Sequence, residues 1–284
     1  MPALILDSRR LAAQKREELA HDIGAFAAVS GVTPGLVVLS VGDDPAIYDY
    51  IRLVTNQARK VGINAIAHVL SDSCSLEEVV EHIEGLNADA SVHAIALQTP
   101  LPAHLDLDEV SAALSPAKDA EGYTLRGIDK NSSALLPTPA LGALQLLEAY
   151  GIRVAGMNAV VVGRNAIIGK PMAALLAQSG AEVTVVHRGT KDIVARIREA
   201  DLLVLGATLP GGIATKVLKP GVTVLDFGIN YVGDDEHIEG NLRFDEAMQI
   251  AGAITPMPGG TGPMTTVSLL QNTLKAAKNQ TGRA

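Results

Sequence analysis

Cysteine and tryptophan are almost missing from this chain: Cys74 is the single cysteine in 284 residues, and there is no tryptophan. One thiol forms no internal disulfide and supplies no thiolate cluster for zinc, which fits a reducing compartment. Cys74 itself reads as a small loop residue. Aromatic side chains make up 3%, too few to build stacking platforms for unpaired bases. Basic charge is also short, and the formal net charge of −8 argues against a nucleic-acid partner, because phosphate binding needs a basic surface. Any anionic ligand must therefore meet a local basic pocket. No apolar run approaches the roughly 18 residues of a membrane span, so no membrane partner is expected. The start, MPALILDSRR, lacks the basic and apolar regions of a secretory signal, and the expected location is cytoplasmic. The seven histidines show no H-x-x-x-H spacing, so no metal site is expected.

What is present is an alternation of β-branched apolar runs with segments of helical period, over a chain that is 48% hydrophobic. That pattern predicts an α/β protein built from βαβ units with mostly parallel sheets. In the first block a long amphipathic helix, RRLAAQKREELAHDIGAFAAV, precedes the strands GLVVLSVG, INAIAHVL and VHAIALQ with helices between them. Ser75 and Glu78 in SLEE stand at the spacing of a capping box. From Ser115 to Ala140 the chain loses periodicity and gathers turn formers, which reads as a long functional loop leading to a domain junction. The second block runs through the strands MNAVVVG, EVTVVHR, DLLVLGA and VTVLDFGIN, and a proline- and glycine-rich loop leads into a last helix.

Two groups of residues carry chemistry. In VVVGRNAIIGKPM, Gly163 ends a strand and Gly169 starts a helix, which turns backbone N–H groups and a helix N-terminus toward a phosphate. The next strand ends in His187 and Arg188 where an NAD-binding chain places a carboxylate, so Arg164 and Arg188 favour the 2′-phosphate of NADP. The plainer alternative is two solvated arginines on loops. In the first block Tyr50 and Val54, four residues apart, share a helix face; Gln98 ends a strand, and Lys118, Asp119 and Glu121 lie in the long loop. Strand ends and loops of an open α/β sheet are where ligands bind, so these residues are candidates for one crevice.

With these segments laid out, the chain resembles the FolD family, the methylenetetrahydrofolate dehydrogenase/methenyltetrahydrofolate cyclohydrolases, from about Leu4 to Lys278. VGDDPAIYDYI is similar to the family's V-G-x-x-P-A-S-x-x-Y-V, QTPLP to Q-L-P-L-P, and PAKDAEGY to P-x-K-D-V-D-G. GRNAIIGKPM, DFGIN and ITPMPGGTGPMT resemble G-R-S-x-x-V-G-x-P, D-V-G-I-N and T-P-V-P-G-G-V-G-P-M-T. The resemblance implies a folate-binding domain over 1–139, completed by a C-terminal helix at 265–284, and a Rossmann-like NADP-binding domain over 140–264. It also implies a homodimer and a substrate cleft between the two domains. By position Tyr50 matches a tyrosine near the pterin and Gln98 an active-site glutamine, while Pro258, Gly259 and Gly260 match a folate-site loop. Gly163, Arg164, Asn165, Arg188 and Ile229 fall where the family touches NADP.

Four positions depart from the family pattern. Val54 stands in the place of the catalytic lysine, Ile47 in that of a serine, Glu121 in that of the pterin-holding aspartate, and Thr208 in that of a glycine. Lys60 lies six residues past Val54, on nearly the opposite side of the helix. Oxidising 5,10-methylenetetrahydrofolate moves a hydride and asks the protein for no proton, whereas hydrolysing the methenyl cation does. The expectation is therefore an NADP-dependent dehydrogenase whose cyclohydrolase activity is weak or absent. The alternatives are full bifunctional activity through another proton carrier, or a silent or altered-substrate relative.

Overall fold

The computed structural model describes residues 2–42, 44–124, 134–209, 212–232 and 237–282. In chain order the first half holds β1 (Leu4–Ile5), α1 (Ser8–Ser30), β2 (Gly35–Val41), α2 (Pro45–Lys60), β3 (Asn64–Leu70), α3 (Leu76–Ala88), β4 (Ala94–Leu97) and α4 (Leu107–Ala112). After α5 (Thr138–Ala149) come β5 (Asn158–Val162), α6 (Gly169–Gln178), β6 (Glu182–Val186), α7 (Ile193–Glu199), β7 (Leu202–Leu205) and β8 (Thr223–Asp226). The chain continues through β9 (Asn230–Val232), β10 (His237–Glu239), α8 (Phe244–Ala247), β11 (Ala253–Ile254) and α9 (Gly262–Thr281). It divides into two compact units, one of 14–138 with 266–284 and the other of 1–13 with 139–265.

The first unit is organised by β2, the middle strand of a parallel sheet ordered β3-β2-β4. Its sequence GLVVLSV is buried from end to end, as a strand covered on both faces requires. Alternation sends Leu36 and Val38 into a cluster with Phe26 of α1, Ile51 and Val54 of α2 and Leu270 of α9. Val37, Leu39 and Val41 meet Val79 and Ile83 of α3 and Val110 of α4 on the other face. Ser75 caps α3 as its spacing predicts: its hydroxyl accepts from Glu78 N (3.2 Å), and the Glu78 carboxylate accepts from Ser75 N (2.8 Å). Because β3 and β4 flank β2 on opposite sides, the order reverses where β2 and β4 end, at Gly42 and Gln98, the position where an open α/β sheet binds ligands.

The second unit carries a parallel sheet ordered β1-β11-β8-β7-β5-β6, with the β9–β10 hairpin apart from it. Its order reverses between β5 and β7, at Gly163 and Gly206. The run VTVLDFGIN splits into two strands because the buried Asp226 carboxylate accepts from Gly228 N (2.8 Å) and turns the chain. Residues 1–13 depart from the 1–139 assignment: Leu4 N and Leu6 N donate to Gly252 O and Ile254 O at 2.8 Å, adding β1 to the second sheet. Two residues of strand are too few to show a period, so the pairing is invisible in the sequence. Among the described residues no helix is long and apolar enough to cross a membrane.

Candidate active site

The candidate site of the first unit is assembled from α2, the end of β4, the turn after it and α9. In α2, Ile47, Ile51, Val54 and Ala58 are buried at helical spacing, which places Tyr50 against the same cluster one turn before Val54. Tyr50 packs against the cluster to which α9 contributes Leu269 and Leu270. The turn at 119–124 is held by backbone approach. Gly122 has φ +77°, and a Cβ there would lie 2.6 Å from Pro137 N, so only glycine lets the turn press against 136–137. Asn272 clasps both sides, its amide donating to Ala120 O and Leu136 O at 2.8 Å.

That clasp brings Thr138 to Glu121, and the Thr138 hydroxyl donates to the Glu121 carboxylate at 2.5 Å. Gln98 is buried close by: its backbone N donates to Leu39 O (2.7 Å) and its side-chain amide to Ala96 O (3.3 Å). Burial pushes the Glu121 carboxyl up to about 7; the Asp119 charge adds to the rise, and the Thr138 and Gln98 donors oppose it. Burial also holds the Tyr50 and Tyr123 phenols well above their ordinary range, with the Glu121 charge reinforcing both. Tyr123, hydrogen-bonded to Thr99, thus belongs to the cluster although the sequence reading passed over it.

Lys118 does not join this group. Its ammonium donates to Leu86 O (3.2 Å) and Asp89 O (2.7 Å), at the end of α3, and burial lowers its pKa. Asp119 is fully buried and accepts from Gly122 N (3.0 Å), Thr124 N (2.6 Å) and the Thr124 hydroxyl (2.9 Å), so it shapes the turn. Lys275 donates to Ala134 O (2.7 Å), and Lys60 is exposed at the end of α2. Val54 is 0% exposed and closed into apolar packing. Among the described residues, the neighbouring charge acting on Glu121 is thus another carboxylate and not a cation.

In the second unit, Gly163 (φ +108°) ends β5, and a Cβ on Gly169 would sit 2.4 Å from Gly163 O. Both glycines let the β5 loop fold tightly onto the start of α6. Asn165 secures that loop: its Oδ1 accepts from Ile168 N (2.7 Å) and Gly169 N (3.3 Å), and its amide donates to Gly206 O (2.5 Å). The register pairs Val162 with Val186, so Arg164 and Arg188 follow adjacent strands at one end of the sheet. Both are exposed, and neither forms an ion pair with another described residue. Ile229 is 50% exposed, and Thr208, on the loop after β7, donates to Ile229 O (3.5 Å). Pro258, Gly259 and Gly260 also belong to this unit, where Gly259 O accepts from Ser8 N (3.0 Å).

Residues 6–121 match the tetrahydrofolate dehydrogenase/cyclohydrolase catalytic domain, and 137–281 match the NAD(P)-binding domain of the same proteins. The chain belongs to the tetrahydrofolate dehydrogenase/cyclohydrolase family. The bifunctional protein FolD of Bordetella avium is 42% identical, covering 98% of each chain. The crystal structure of the bifunctional FolD enzyme of Campylobacter jejuni superposes with a TM-score of 0.92 at 35% identity, covering 98% of this chain and 99% of that one. The Trypanosoma brucei FolD structure, solved with NADP and an inhibitor, gives 0.93 at 32% identity over the whole of both chains.

Within the tetrahydrofolate dehydrogenase/cyclohydrolase family's NAD(P)-binding domain, the residues present fit a dinucleotide. Gly163 and Gly169 leave backbone space that any Cβ would fill, and the exposed Arg164 and Arg188 follow the paired ends of β5 and β6. Asn241 was also passed over in the sequence. It accepts from Leu209 N (2.8 Å) and donates to Ala207 O (2.9 Å) and Asp226 (2.8 Å), fixing the loop that follows β7. A signal was present in the asparagine fifteen residues after the aspartate of D-F-G-I-N, but that spacing crosses a hairpin with no period to reveal it.

Proposed function

We propose that this chain oxidises 5,10-methylenetetrahydrofolate with NADP and hydrolyses the methenyl product more slowly than it forms. The observation that carries this reading is the grouping of Tyr50, Gln98 and Glu121 beside a core in which Val54 is fully buried and offers no polar atom. The oxidation leaves a cation spread over two nitrogens and needs no proton from the protein. A Glu121 carboxylate favours such a cation, and Gln98 and neutral Tyr50 supply hydrogen bonds that orient the substrate. Retention of hydrolysis is supported by a relative such as the Bordetella avium protein, named bifunctional and similar over nearly its whole length. A dehydrogenase that stops at the methenyl compound is the second reading, favoured by the burial of Val54 where the resemblance has a lysine.

Gly163, Arg164, Arg188 and Ile229 would hold NADP, with Asn165 shaping the loop beneath it. The bound nicotinamide supplies the hydride acceptor. Arg164 and Arg188, free of carboxylate partners among the described residues, support recognition of a 2′-phosphate. In this reading the folate side is formed by 14–138 with 266–284. A homodimer completes the reading; the exposed Ile66 and Val69 on the edge strand β3 offer apolar surface for it, which light scattering would check. The decisive assay supplies methylenetetrahydrofolate with NADP and follows NADPH and the methenyl compound together. NADPH formation with passing accumulation of the methenyl compound is expected, and no NADPH at any substrate concentration would refute the proposal.

A further inference from the structure

We propose that His68 and His82 form a site for a divalent transition-metal ion of the copper, nickel and zinc class, at the edge of the first unit's sheet. The site is independent of the function proposed above. His68 lies on the edge strand β3, and His82 lies on α3, which packs on one face of that sheet. The fold brings His68 Nδ1 to 2.9 Å from His82 Nε2, with the ring centroids 5.1 Å apart and the ring planes tilted by 57°. Two imidazole nitrogens therefore point at each other instead of stacking face to face. Fourteen residues separate the pair, a spacing outside the helical H-x-x-x-H pattern and invisible in the sequence. Both side chains are half-buried, so one side of the pair stays open to water.

Without a metal, one hydrogen holds the pair: one inner nitrogen donates and the other accepts. Burial and the neighbouring His68 both lower the His82 pKa, which favours neutral imidazole, the form that binds metals. When an ion enters, both inner nitrogens turn lone pairs toward it. The hydrogen of the donating ring moves from its inner to its outer nitrogen, so two metal–nitrogen bonds form and no proton is released. The outer nitrogens, His68 Nε2 and His82 Nδ1, have no protein partner among the described residues. The separation also discriminates among ions. Two nitrogens at about 2.0–2.1 Å from a metal stand about 2.9 Å apart at a right angle and about 3.4 Å apart in a tetrahedron. The 2.9 Å found here matches the right angle of a tetragonal site, which favours Cu²⁺ and Ni²⁺ over Zn²⁺. Local charge suits a cation, since Asp72, Glu77, Glu78, Glu81 and Glu84 share the stretch 64–88 with no lysine or arginine. Among the described residues no third ligand joins the pair, so water fills the remaining positions and the ion exchanges with solvent.

The test titrates Ni²⁺, Cu²⁺ and Zn²⁺ by calorimetry into the full chain, free of any affinity tag and stripped with chelator. Wild type is compared with His68→Ala, His82→Ala and His21→Ala, the last removing an exposed histidine on α1. The expected result is one Ni²⁺ per chain, bound at least about 10-fold more weakly by His68→Ala and by His82→Ala, and unchanged in His21→Ala. Cu²⁺ should bind more tightly than Ni²⁺, and Zn²⁺ more weakly than Cu²⁺. Because the pair joins strand to helix, Ni²⁺ should raise the melting temperature of wild type and leave that of the two pair variants unmoved. Unchanged circular dichroism shows that the variants fold. Should one fail to fold, Ni²⁺ broadening of imidazole NMR signals in wild type reads the site directly: selective loss of two of the seven supports it, and uniform loss overturns it. A structural hydrogen bond alone predicts variants that melt lower without metal and a wild type that Ni²⁺ does not shift, and that result overturns the inference. Ni²⁺ binding that survives in both pair variants also overturns it, as an adventitious ion on other histidines.

Discussion

The two crevices are topological twins with opposite chemistry. Each opens where a parallel sheet reverses its order, at Gly42 and Gln98 in one unit and at Gly163 and Gly206 in the other. The first gathers buried titratable side chains, and desolvation moves Glu121 to about 7 and lifts two phenols. The second presents glycine backbone and two exposed arginines, the groups to which the proposed function assigns an anion. The comparison teaches that strand order locates a site, whereas burial decides whether it tunes acids and bases or binds through fixed charge.

The largest expected effect breaks the second crevice. Gly169→Ala drives a Cβ into Gly163 O at 2.4 Å, and a cost of about 3 kcal/mol in denaturant unfolding should accompany loss of NADP binding. The first crevice is probed by pH. The folded Glu121 pKa, about 7, lies above its ordinary 4.5, so its stabilising contribution is full below 4.5 and lost as pH rises through 7. Compared with Glu121→Gln, wild type should lose up to about 3 kcal/mol of stability across that window, read from unfolding curves at each pH. A smaller effect sharpens the contrast: Arg188→Ala should weaken NADP binding by about 10-fold and leave NAD binding nearly unchanged in parallel titrations. Ser75→Ala, outside both crevices, should cost about 1 kcal/mol from the lost cap with no change in turnover.

Much of this was legible before any coordinates. The β-branched runs at 35–41, 64–70 and 158–162 are long enough to show their character, and the α3 capping box is a local pattern. Tyr50 and Val54 share a face because helical spacing forces it. What the sequence hid depends on contacts across long separations. Thr138 meets Glu121 through a glycine that presses on Pro137, and Lys118 turns from the expected crevice to cap α3, neither of which a period encodes. β1 and β11 are strands of two residues that exist by pairing alone. The raised Glu121 pKa follows from burial, which is a property of the folded unit and not of the string DAEGY.

The central claim is that the first crevice sets Glu121 at neutrality, and side-chain carboxyl NMR of the free protein tests it most directly, with Glu121→Gln identifying the signal. A midpoint near pH 7 is the result this account requires. A midpoint near 4.5 would show the carboxylate fully ionised at neutral pH, and the crevice would then have no group poised to move a proton.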